Sequence, residues 1–432
     1  MAKWIAFPYL SVIVMSHITK LSSGHQLQSA HEVVNHELVI AGEPLSKRVQ
    51  EAGGTPCYMY DMTRAQQQIT AVREAFPKQF SVFYAVKANP NSQVLAALQP
   101  WVDGLDVASY GEVETAMNVG YKPQDMGFAG PAKSQGELNA SLENGVFLSL
   151  ESITEAKRIC TWAEQHQKPI EVGIRINPSF ELRASGMHMG GGAQVFGIDE
   201  ETLFKVVETI NQSAWVSVTG LHIYAGSQCL QMPALVEQFR ETFLCFSRVC
   251  EQFELPIKRL NFGGGLGVPY FAGNVPIDLA LLGHALHELC AEFKDFIQHK
   301  ELIVELGRFL MADAGLYVSQ VSDVKVSRKH TFVMTNGGMH HHLANSGNLG
   351  QLLKKNYPVV LGQKVDCPVE QKVTIAGPLC TPLDVLAKNI ELPQVDIDDF
   401  VVIMLSGAYG LSSSPQQFLS HPSAKELVIP VI

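Results

Sequence analysis

The sequence predicts an α/β chain in which a (β/α)8 barrel is followed by a C-terminal β domain that also takes a strand from ahead of the barrel. Three observations predict it. Eight short, apolar, β-rich runs alternate with helical stretches between residues 80 and 306. After Arg308 the rhythm changes to strand-like runs separated by turn and loop residues. One further strand-like run, 56–60, precedes the barrel. Near-continuous apolar strands separated by helices indicate a parallel sheet covered on both faces. Eight such units within about 230 residues match a closed barrel.

In chain order, residues 1–54 read as an N-terminal extension, partly flexible. Its residues 4–15 (WIAFPYLSVIVM) are apolar and follow Lys3, yet are too short to span a membrane. They could serve as a signal-peptide core, but they contain Pro8 and no A-x-A-like site follows closely. Met15 is a plausible start, and a cytoplasmic location is the expectation. Residues 55–62 carry the strand that joins the β domain. The barrel occupies 63–312, with strands expected at 80–87, 105–109, 126–129, 146–150, 170–177, 216–224, 257–262 and 302–306. Helices are expected at 111–119, 135–143, 153–165, 200–211, 234–253 and 279–296, with acidic starts and glycine stops such as Gly145. The β domain occupies 313–432, with strands expected at 316–326, 331–335, 373–375 and 400–405.

Hydrophobic residues make up 46% of the chain and charged residues 17%, so a large core can be buried. The formal net charge of −10 argues against a nucleic-acid partner, while leaving room for a local phosphate pocket. Eight cysteines form no CxxC pair, so neither a disulfide framework nor a metal site is expected.

Barrel enzymes act at the C-terminal ends of their strands. The first expected strand closes on Lys87, and a lysine ending a buried apolar run is costly unless it has a partner or a reaction to perform. The seventh leads into Gly263, Gly264 and Gly265, where backbone amides can approach a phosphate, at a position where barrels often bind one. The eighth ends in Glu305, with Arg308 just beyond. Lysine, phosphate cradle and carboxylate together suit pyridoxal 5′-phosphate. The amine forms a Schiff base, the glycines hold the phosphate, and the acid keeps the pyridine nitrogen protonated so that the ring is a strong electron sink.

The strings FYAVKAN (83–89), DVASYGE (106–112), NFGGGLG (261–267), ELGR (305–308), GPLC (377–380) and GAYG (407–410) resemble the fold-type III pyridoxal-phosphate decarboxylases, the group of the diaminopimelate, ornithine and arginine enzymes. The motifs run in family order over most of the chain. The resemblance implies an alanine racemase-like barrel plus β domain and a cytoplasmic homodimer with active sites shared between subunits. It assigns Lys87 to the Schiff base and Glu305 to the pyridine nitrogen. Gly263 to Gly265, Ser227 and Arg308 match phosphate or substrate contacts, and Tyr409 matches a tyrosine near both. Cys380 matches a cysteine from the second subunit that protonates the carbanion left by CO2. Asp384 matches a dimer-interface acid in the same loop, counted here among the substrate contacts.

Four departures bear on the substrate. Tyr224 stands where relatives carry a histidine stacked on the cofactor ring; it can stack but supplies no positive charge, and His222 lies two residues earlier on the same face. Thr381 follows Cys380 where an acid would bind a distal ammonium. His340, His341 and His342 occupy the segment of a distal-carboxylate arginine; read as a strand, neighbours point to opposite faces, so His341 is a candidate substrate contact rather than part of a metal site. The tail from Ser414 to Pro422, with the CTPLD loop, is similar to decarboxylases that act on a glutamyl carrier protein or in siderophore pathways. The expected substrate is therefore a small molecule or a carrier-protein-linked conjugate. The competing readings are a remodelled diaminopimelate decarboxylase, a catalytically silent relative and an amino-acid racemase.

Overall fold

The computed structural model describes residues 14–180, 187–188, 190–349 and 354–431; the apolar run at 4–15 lies outside these apart from its last two residues. All eight expected barrel strands are present: β1 (Phe80–Ala85), β2 (Gly104–Val107), β3 (Met126–Phe128), β4 (Phe147–Leu150), β5 (Ile170–Asn177), β6 (Val216–His222), β7 (Arg259–Asn261) and β8 (Glu301–Leu306). Each pairs in parallel with the next, and β8 closes on β1 through Leu302↔Phe80 to Leu306↔Tyr84. The barrel interior is filled asymmetrically. The Phe147 ring reaches across to Gly173 of β5 and Gly220 of β6, where a Cβ would stand 3.0 and 2.8 Å from it. Two glycines on neighbouring strands are thus the condition for one large ring inside the barrel.

Three of the helices between strands start on serine caps: Ser109, Ser134 and Ser152 each accept an amide three residues on, and Ser134 completes a capping box with Glu137. The helix Met62–Ala75, absent from the expectations, is capped by Asp61 and buries Ala65, Ile69 and Val72 at helical spacing.

The β domain is built around the long strand Gly315–Ser327. It pairs antiparallel with Phe400–Ile403, with His330–Thr335 and with Cys57–Asp61, so the strand ahead of the barrel does join this sheet. Cys57–Asp61 also pairs in parallel with Lys425–Ile429. Three strands were not expected from sequence: Val359–Leu361, Val385–Leu392 and Lys425–Ile429. Within the segment read as an extension, Met15–Lys20, Gln26–Val34, Glu37–Ile40 and Glu43–Pro44 form an antiparallel sheet. Val33, Leu38 and Ile40 are buried in it, and its tip is tied to the β domain by Leu38 N donating to Gly362 O at 2.8 Å. Buried alternating apolar residues, not chain position, decide order here. Among the described residues no helix is long and apolar enough to cross a membrane.

The three histidines correct one reading. Residues 340–342 sit in turns rather than a strand, with the His341 and His342 amides both donating to Gly338 O. The two preceding glycines, Gly337 and Gly338, leave room for the Tyr317 hydroxyl and the Asp384 carboxylate, close approaches that strand alternation cannot describe.

Candidate active site

β1 stops at Ala85, and Val86–Ala88 form a single 3-10 turn that presents Lys87 just beyond the strand end. Lys87 Nζ donates to Asp106 Oδ2 at 2.7 Å and lies 5.8 Å from the centroid of the Tyr224 ring. The lysine side chain is 39% exposed and Asp106 only 2%, so the pair joins a buried strand end to the open mouth. Burial acts to lower the Lys87 pKa, but Asp106, Tyr409, Glu305 and Tyr224 outweigh it and raise it. The Asp106 carboxyl is pushed up by burial and by Glu305, against the pull of Lys87. Burial pushes the Tyr224 phenol up to about 12, so it faces Lys87 uncharged at neutral pH.

Glu305, near the end of β8, accepts from Asn261 Nδ2 at 2.5 Å through one oxygen and lies 3.4 Å from His222 Nε2 through the other. Burial acts to raise its carboxyl, yet His222, Lys87 and Asn261 together bring it down to about 2. Two buried carboxylates in one mouth are thus driven in opposite directions, the arrangement by which neighbouring acids take different roles.

The glycine run after β7 is forced by close approach. Gly263 and Gly265 have φ of 62° and 120°, and a Cβ on Gly263 would stand 2.8 Å from Tyr224 Cδ2. Gly263 N donates to Asn261 Oδ1 at 2.8 Å, and Glu305 N donates to Gly263 O at 2.8 Å, which binds the run to β8. On the facing side, the short strand Gly226–Ser227 follows β6. Gly265 O accepts from Cys229 N at 2.9 Å, which ties that segment to the run. Ser227 Oγ is buried with no hydrogen-bond partner. An orphaned hydroxyl beside backbone that tolerates no side chains fits a bound phosphate.

Arg308 completes the mouth. Its guanidinium lies 4.3 Å from the centroid of the Tyr409 ring and 3.5 Å from the Tyr270 hydroxyl, to which it donates. Tyr409, at φ 54°, is held by its amide donating to Ala88 O at 2.7 Å, so the GAYG loop is fastened to the lysine turn.

Lys87, Tyr224, Ser227, Gly263 to Gly265, Glu305, Arg308 and Tyr409 therefore gather at the C-terminal ends of the barrel strands. Four other sequence-selected residues do not join them within the chain. Cys380 is exposed on the loop between Gln371–Ala376 and Val385–Leu392. Thr381, beside it, turns its hydroxyl back to accept from Leu383 N at 3.3 Å. Asp384 is buried, and both of its oxygens are taken by amides, Met339 N at 2.6 Å and Leu379 N at 2.8 Å. Within its own chain it braces the loop. His341 is likewise consumed inside the β domain: Nε2 lies 2.8 Å from Pro422 O, and its own carbonyl accepts from Tyr58 OH at 2.7 Å. Burial lowers all three histidines, His340 to about 4 and His342 to about 3, so they pack as neutral rings.

Asp106 and Asn261 were not selected from sequence. Both lie near the C-terminal end of a barrel strand, the rule that selected Lys87 and Glu305, and applying it to all eight strands would have found them.

Residues 62–312 match the family model described as pyridoxal-dependent decarboxylase, pyridoxal binding domain. The chain is similar to the L-glutamyl-[BtrI acyl-carrier protein] decarboxylase of Niallia circulans, 33% identical over 389 residues that cover 89% of this chain and 90% of that protein. It is 28% identical to the 2-[(L-alanin-3-ylcarbamoyl)methyl]-2-hydroxybutanedioate decarboxylase of Staphylococcus aureus, covering 88% of this chain and 96% of that one. In structure it resembles diaminopimelate decarboxylase from M. jannaschii in complex with L-lysine, with a TM-score of 0.85 and 26% identity over 93% of this chain and 92% of that one.

Proposed function

The chain belongs to the pyridoxal-dependent decarboxylase family, and from that premise we propose that its substrate is an amino acid whose distal end is already conjugated, in a secondary-metabolite or siderophore-like pathway. Pyridoxal phosphate, when bound, supplies the sink for the electron pair released as CO2 leaves. The chain's own residues divide the remaining work. Lys87 attaches the cofactor covalently, and Ser227 with the amides of Gly263 to Gly265 holds its phosphate, with Arg308 and Tyr409 on the open side. Glu305 partners the pyridine nitrogen and Tyr224 packs on the ring face. The protein works as a homodimer in which Cys380 of one subunit reaches the other subunit's barrel mouth and delivers the proton that replaces CO2 on the substrate's α-carbon.

The observation that carries the substrate reading is the state of the Cys380 loop. Its one acid, Asp384, is spent on Met339 and Leu379 amides, and Thr381 is uncharged. Nothing in the loop can pair with a free distal ammonium, and an unpaired buried charge is costly. Support comes also from the relatives in Niallia circulans and Staphylococcus aureus, whose names specify a carrier-linked glutamyl group and a carbamoyl-linked alanyl group. The test is CO2 release from a panel of free diamino acids, diaminopimelate, and the same amino acids with the distal group acylated or carrier-linked. The conjugates should show the highest kcat/KM. If diaminopimelate leads, the chain is a lysine-pathway enzyme with altered contacts.

A further inference from the structure

His222 closes β6 and stands in register with Asn261 of β7. Register partners on parallel strands share a face, so both side chains enter the barrel beneath the mouth. There they meet the Glu305 carboxylate from two sides, Asn261 Nδ2 at 2.5 Å from Oε1 and His222 Nε2 at 3.4 Å from Oε2. His222 is 2% exposed, and neither ring nitrogen has an aligned hydrogen-bond partner. A buried imidazole with no partner of its own, set against one carboxylate oxygen, calls for an account.

Charge balance supplies it. The groups that face Glu305 are Lys87 after β1, Asp106 on β2, His222 and Tyr224 at the end of β6, and Asn261 on β7. Two carboxylates confront one ammonium, and Lys87 is committed to Asp106 at 2.7 Å. Arg308 faces tyrosines instead. His222 is the remaining group in contact that can carry a positive charge. We propose that His222 is the positioning residue for Glu305: as an imidazolium it pins Oε2 opposite the Asn261 amide and balances the carboxylate's charge, so that Glu305 meets the pyridine nitrogen as an anion. Without it a buried carboxylate facing Asp106 would take up a proton. A neutral carboxylic acid cannot hold the ring nitrogen protonated. Tyr224, standing where relatives place a histidine, supplies no cation for this purpose.

The inference rests on reading Glu305 as the ring-nitrogen partner, and its test is chosen to stand apart from that reading. Difference infrared spectra of cofactor-free protein, wild type against Glu305→Gln, report the Glu305 carboxylate directly as pH is lowered. In wild type the ionised band should persist through pH 4. In His222→Gln and His222→Phe its midpoint should rise by about one pH unit or more. An unchanged midpoint in folded His222→Gln overturns the proposal, and this near-isosteric variant carries the test if His222→Phe fails to fold. After reconstitution, His222→Gln should lower kcat about tenfold with little change in KM. Near-normal turnover of Glu305→Gln would overturn the ring-nitrogen reading alone and leave the infrared result standing.

Discussion

The barrel mouth and the β-domain loops both bury polar side chains singled out in the sequence, but hold them differently. In the β domain, Asp384, His341 and His342 have partners in their own chain, from amides, a carbonyl and the Ser406 hydroxyl. Both ring nitrogens of His340, whose ring lies tilted 3.7 Å from that of His341, are left unpaired there, as are Asn345 Oδ1 and Ser319 Oγ. At the mouth, Ser227 Oγ and both His222 nitrogens are unpaired, and Arg308 faces rings instead of a carboxylate. Desolvated polar atoms left without partners cost stability, so the orphaned Ser227 hydroxyl beside the glycine run marks surface completed by a ligand. Asp384 and His341, whose partners are backbone groups of the β domain, read as scaffold, whereas Lys87 and Glu305 are paired with side chains of the mouth itself.

The largest effect expected from this contrast is at Lys87. Lys87→Ala should lose decarboxylation by at least about 10³-fold while folding normally, and borohydride should fix the cofactor of wild type to the Lys87 peptide alone. Labelling of a different lysine would break the assignment. Cys380→Ala should also be strongly impaired if this exposed β-domain thiol serves the partner's mouth. Mixing it with Lys87→Ala and allowing subunit exchange should restore about a quarter of wild-type activity, because half of the dimers are then heterodimers with one intact site. No recovery, with exchange demonstrated, would make Cys380 a residue of its own subunit only.

Glu305→Gln should leave cofactor bound but slow turnover by about 10²-fold. Ser227→Ala sharpens the contrast most directly. Removing an unpartnered hydroxyl should leave the melting temperature of cofactor-free protein unchanged or higher, while cofactor affinity falls about tenfold. A destabilised apo-protein with unchanged affinity would reassign Ser227 to the scaffold. The smallest effect on chemistry is expected at Asp384→Asn, which should cost about 1–3 kcal/mol in denaturant unfolding. Its ranking of conjugated over free amino acids should not change; a reversal would return Asp384 to the substrate.

The eight barrel strands were legible because most carry a buried apolar run, even where residues such as Glu171 and Arg175 interrupt it. Their ends were less so: Lys87 was read as the last residue of a strand, whereas the chain turns one residue earlier at Val86. Asp106 and Asn261 escaped notice because an isolated polar residue near a strand end looks like any turn or cap. In the β domain, Val385–Leu392 and Lys425–Ile429 depend on partners far along the chain, and local sequence carries no trace of those partners. The groups that hold His341 and Asp384, Pro422 O and Met339 N among them, lie far along the chain in the same way. A histidine or an aspartate reads as chemistry until the backbone groups that consume it are known.

The pairing of Cys57–Asp61 with both Gly315–Ser327 and Lys425–Ile429 makes the barrel an insertion between two strands of one sheet. During synthesis the barrel can close as soon as β8 has emerged, but the β sheet must wait for residue 429. Until then Cys57–Asp61 presents an open edge, the kind of surface that pairs with other chains. A nascent chain halted before Lys425 should therefore hold a finished barrel and an adhesive flank, which makes the last strand a checkpoint for assembly.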